Sequence, residues 1–172
     1  MSDARKPLLE THPHLKDFLE FLDDFNKETD RGAALAAAAM VDDLLSRTIE
    51  AFLIPNKGSK ALLSGFNAPL SSFSARIAGA YAMGLISEQE HREASLIRKV
   101  RNEFAHEVKV SFATKKIIGL CRELAMAAKS YDDVKVDTRG QFTTAAVALI
   151  LNLTNRPHYA KCEGLMPRVW QY

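Results

Sequence analysis

Apolar residues recur along this chain at steps of three and four, in segments parted by short polar stretches that hold most of the eight glycines and six prolines. That pattern predicts helices joined by defined loops. Leu15, Phe18, Leu19, Leu22 and Phe25 form one stripe, with Lys16, Asp17, Glu20, Asp23 and Asp24 on the other face, so an amphipathic helix follows Thr11 and Pro13. A longer helix runs from Asp30 as N-cap to the residue before Pro55, carrying the alanine-rich run Ala33 to Ala39 and then Leu44, Leu45, Ile49 and Phe52. Alanine there lets a neighbouring helix approach closely. From Pro55 to Pro69 the periodicity lapses, which reads as a long loop broken by a turn of helix at Leu62 and Leu63. Long loops inside small domains are more often functional or mobile than inert.

Further on, Ser71 or Ser72 caps a short helix through Phe73, Ile77, Ala80 and Tyr81, which stops near Gly84. Ser87 and Glu90 make a capping box, each satisfying the other's free amide. The helix it opens carries Leu96, Ile97, Val100 and Phe104 and frays near His106. Two more follow, one from Ser111 or Thr114 through Ile117, Leu120, Cys121 and Leu124, one from Asp137 through Phe142, Ala146, Leu149 and Leu153. No alternating strand pattern and no repeat appears. The expectation is an all-α fold, a single-domain helical bundle of about six helices over residues 1–172. Residues 1–12 are expected to be flexible, and residues 155–172 to be an irregular tail laying Leu165, Met166, Val169 and Trp170 on the bundle.

Composition narrows the function classes. With 172 residues, 47% apolar and 26% charged, the chain can bury one sizeable core unaided. Its longest charge-free stretch, Gly140 to Asn155, falls short of the ~20 apolar residues a bilayer span takes. Asp3, Arg5, Lys6 and Glu10 around Pro7 leave no room for a signal peptide, so a cytoplasmic location with reduced Cys121 and Cys162 is expected. Lys and Arg number 23 against 21 Asp and Glu, a net +2, with a sequence pI near 8.5. Dedicated nucleic-acid binders usually exceed a pI of about 9, so any nucleic-acid contact should be local and weak.

No metal site is expected: His12 with His14, and His158 with Cys162, lack further ligands. Asp42 and Asp43 are adjacent, hence about 100° apart on a helix, and suit ion pairing in solvent with neighbours such as Arg47 better than chelation. Without a phosphate-binding loop, a dinucleotide glycine pattern or a nucleophile elbow, no cofactor is expected either.

The segment Ile97-Arg98-Lys99-Val100-Arg101-Asn102-Glu103-Phe104-Ala105-His106 holds the most chemistry. Helical geometry puts Asn102 and His106 on one side and Arg101 at the edge of the apolar stripe. Arg101 and His106 therefore converge only if the last turn loosens or the arginine bends over. An imidazole moves protons near neutral pH, and a guanidinium stabilises charge on phosphate. A plainer reading is that His106 complements the helix dipole near solvent. Ser71, Ser72 and Arg76 at a helix start suit either anion binding or simple capping, and both readings stand.

The runs Gly65 to Ile77, Ala80 to Ile86 and Ile97 to His106, taken in order, resemble the mannitol operon repressor family of bacteria, over about Asp30 to Leu124. The resemblance implies an all-helical regulator of transcription without a recognised DNA-reading module, acting through a protein partner or self-association as a homodimer, or through weak nucleic-acid contacts. Ser71, Ser72, Arg76, Arg98, Arg101 and His106 are then the candidate binding residues. The last run is also similar to the R-x4-6-H signature of HEPN domains, some of which are dimeric metal-independent ribonucleases. In that alternative Arg101 stabilises phosphate, His106 transfers a proton and Asn102 orients one of them. A small helical interaction module without chemistry is the third possibility, and an enzyme is the less favoured class.

Overall fold

Side-chain oxygens set the starts of five helices in the computed structural model, which describes residues 15–171. Helix α1 spans Lys16–Phe25. Thr29 accepts from the Gly32 amide and opens α2, Asp30–Phe52. Asn56 accepts from Ser59 and opens α3, Lys57–Leu63, and Ser72 accepts from Ala75 at the start of α4, Phe73–Ala82. At Ser87 both halves of the capping box form, and α5 runs over Glu88–His106. Helix α6 is Lys115–Arg122, Asp137 caps α7 at Thr138–Thr154, and α8 is Arg156–Cys162. Each cap satisfies an amide that the helix leaves free, worth about 1 kcal/mol.

Helix α2 lies at the centre and packs on α8, α5, α7 and α4. Its Ala33, Ala34, Ala37 and Ala38 are all buried, so small side chains line the close approaches. Phe104 of α5, Phe112 of the following loop and Phe142 of α7 pack in series with tilted rings, their centroids 5.0 and 5.3 Å apart. Truncating a fully buried ring such as Phe104 to Ala costs about 3–5 kcal/mol.

The all-α architecture matches expectation, with eight helices rather than six among the described residues. One addition is α3, where only a turn was expected; Asn56 nucleates two turns. The other is α8, in the tail expected to be irregular. Pro157 lies in its first turn, where a missing N–H costs nothing. The rest of the tail does not pack as expected: the Leu165 amide donates to the Phe52 carbonyl at 2.8 Å, yet Met166, Val169 and Trp170 stay exposed. Helix α2 is capped by Thr29, which leaves Asp30 as its first residue, and it stops at Phe52 rather than running to the residue before Pro55. The expectations for residues 1–12, and for Thr11, His12, Pro13 and His14, fall outside the described residues. No helix among the described residues is long and apolar enough to cross a membrane.

Candidate functional site

The end of α5 is held by an arginine from another helix. Helices leave their last carbonyls without partners. Here Arg31, in the first turn of α2, donates to the carbonyls of Phe104, Glu107 (2.7 Å) and Val108 (3.1 Å). The last turn stays α-helical, since the Glu107 amide donates to the Glu103 carbonyl at 3.0 Å. Lys116 pairs with Glu103 at 2.7 Å and ties α6 to the same end.

On this fixed end Arg101 and His106 are both exposed, and Arg98 is half-buried one turn earlier. Arg101 Nη1 donates to Asn102 Oδ1 at 3.0 Å. Because the turn does not loosen, His106 sits about 140° around the axis from Arg101 and about 7.5 Å along it. Among the described residues no hydrogen bond joins the two. Arg101 faces the other way, into a cleft of about 280 Å³ that it shares with Leu35, Ala38 and Asp42 of α2 and Phe73 of α4.

The remaining candidates have partners inside the chain. Ser72 caps α4, and Ser71 Oγ donates to the Ala68 carbonyl at 2.7 Å. Arg76 Nη1 donates to Asp42 Oδ2 at 2.8 Å, joining α4 to α2 across 34 residues. Asp42 is thus half-buried, unlike the solvated ion pair expected of it, while Asp43 does pair with Arg47 at the surface, at 3.6 Å. The Arg76 contact is incomplete: Asp42 Oδ1 and Arg76 Nε are buried with no hydrogen-bond partner.

Sequence reasoning missed three arginine ties. Besides Arg31, Arg139 donates to Asp30 (2.6 Å) and to the Glu28 carbonyl (2.5 Å), and Arg156 donates to Glu90 (2.6 Å) and the Leu85 carbonyl (2.7 Å). A signal was present: all three sit in the first turn of a helix, where the dipole disfavours a cation, so each needs acceptors from elsewhere. Burial pushes the Glu90 carboxyl up, but hydrogen bonds from Arg156 and Ser87 outweigh it and hold the group below the usual glutamate value. Glu93 is fully buried, and that burial raises its carboxyl although the Ala125 amide donates to Oε1 at 2.5 Å. Burial likewise pushes the Cys121 thiol up to about 12. Among the described residues no group of three or more His, Cys, Asp or Glu side chains is placed to hold a metal.

This arrangement of helices is similar to a chain of the MtlR-HPr complex from Escherichia coli, known from its X-ray structure. The TM-score is 0.58 at 21% identity, covering 83% of this chain and 97% of that one. The likeness is one of fold. No family model and no curated protein matches the sequence.

Proposed function

We propose that the chain is a transcription-associated regulator that acts by docking a protein partner on the exposed end of α5, with Arg98, Arg101 and His106 as contact residues. One observation carries the reading: the bundle shares its fold with a chain solved in complex with the protein HPr. Arg98 and Arg101, one turn apart on a rigid helix, offer forked donors for acidic or carbonyl groups on a partner. The near balance of charge favours a protein over DNA as that partner. Calorimetry of the purified chain with HPr tests it. Saturable binding is expected, weakened about tenfold or more in the Arg98→Ala/Arg101→Ala double variant. Absence of binding, or an unchanged affinity in that variant, removes the reading. Sub-micromolar, sequence-specific gel shifts with operator DNA at physiological salt would replace it with direct repression.

A second reading is metal-independent RNA cleavage by a homodimer. The Arg101–Asn102 hydrogen bond favours it, because it fixes the guanidinium while Arg101 and His106 remain open to a second copy. Within one chain the two side chains diverge, so the symmetry axis must pass beside α5. Single-stranded RNA incubated without metal should be cut by the native chain and spared by His106→Ala; equal cleavage by both rules this reading out.

A further inference from the structure

The segment from Pro55 to Leu63 takes no part in the α5 surface, yet it closes over α2 and α4 to form a cavity of about 420 Å³. That size falls within the range of small-molecule sites. Helix α2 contributes Ser46 and Glu50 to the lining, α3 contributes Lys60 and Leu63, and α4 contributes Arg76. Asp42 fixes Arg76 through Nη1, which leaves Nε buried without an acceptor and, among the described residues, Nη2 without a hydrogen bond. Lys60 and Glu50 line the same space, and no ion pair joins them among the described residues. Two elements therefore bring cations with donors to spare, and a third brings a carboxylate and a hydroxyl. Arg76 Nη2 and the Lys60 ammonium are the donors in the lining of that space with no acceptor among the described residues, and a charged donor there favours an acceptor from a ligand.

We propose that this cavity binds a small hydroxylated oxyanion, its phosphate or carboxylate group between Lys60 and Arg76 and a hydroxyl donating to Glu50. Glu50 sets the preference, because a carboxylate repels a second anionic group and accepts from a hydroxyl. This inference is independent of the docking reading, and its test never involves a partner protein. Calorimetry on the full chain with glycerol phosphate and glycerate, against ethyl phosphate and propionate, distinguishes the two oxyanions and the need for the hydroxyl. A hydroxylated ligand should bind saturably at millimolar concentration or below. Lys60→Met should lower its affinity about tenfold or more, and Glu50→Gln should erase the preference over the ligand without hydroxyls. Lys60 and Glu50 are both exposed, so unchanged urea midpoints without ligand verify that the variants fold. Failure of every ligand to saturate, or equal binding by Lys60→Met, overturns the proposal.

Discussion

Glu90 and Arg156 make a pair in which both carboxylate oxygens and both terminal nitrogens are hydrogen-bonded. Arg156 reaches both carboxylate oxygens and the Leu85 carbonyl, while Glu90 Oε2 also accepts from the Ser87 amide at 2.7 Å. Asp42 and Arg76 repeat the chemistry with a single bond and two stranded atoms. Glu90 is 5% exposed and serves as helix cap, interhelix tie and charge partner at once. A pair that leaves no buried atom without a partner serves as a structural tie. An unsaturated pair lying between a cavity and a cleft has capacity left over: Arg76 lines the proposed ligand cavity, and Asp42 shares its cleft with Arg101.

Mutation separates the two pairs. Glu90→Ala removes one half of the capping box and strands a mostly buried guanidinium, so urea unfolding should register a loss of about 3 kcal/mol. Asp42→Ala removes one bond from a half-exposed carboxylate and should cost about 1 kcal/mol. Equal losses would show that the two pairs do not differ in kind. Acid titration sharpens the contrast. The folded value of Glu90 is depressed, so its contribution is whole above the ordinary glutamate range and is lost as pH falls through the folded value. Glu93 has the opposite sign: its folded value is raised, so stability falls as pH climbs from the ordinary range through the folded value. Unfolding followed against pH should therefore lose stability less steeply on the acid side in Glu90→Gln than in the native chain, and Glu93→Gln should gain stability toward neutral pH. The smallest effect concerns the thiols. Cys162 is exposed and should react with a thiol reagent in the native protein, whereas buried Cys121 should react only on unfolding.

Local chemistry was legible in the sequence wherever cause and effect lie within one turn. The Ser87 and Glu90 box, the Asp137 cap and Gly84 at φ +71° all follow from neighbours in the chain. The seven residues of helix α8 are too few to show an apolar stripe, although proline suits a helix start. Helix α3 was missed because glycine and serine masked the Asn56 cap. The site was half legible. Exposure of Arg101 and His106 at a helix end followed from the apolar stripe, as did their divergence. The partners of Arg31, Arg139 and Arg156 lie 66 to 111 residues away, and no local period encodes a choice made by tertiary packing.

Arg31 relieves His106 of a duty. The carbonyls at that terminus already have a cation, so an imidazole there adds little to the permanence of the bundle. Position 106 is consequently free to vary with what the surface must recognise, and a change of side chain there can redirect binding without unsettling the scaffold beneath.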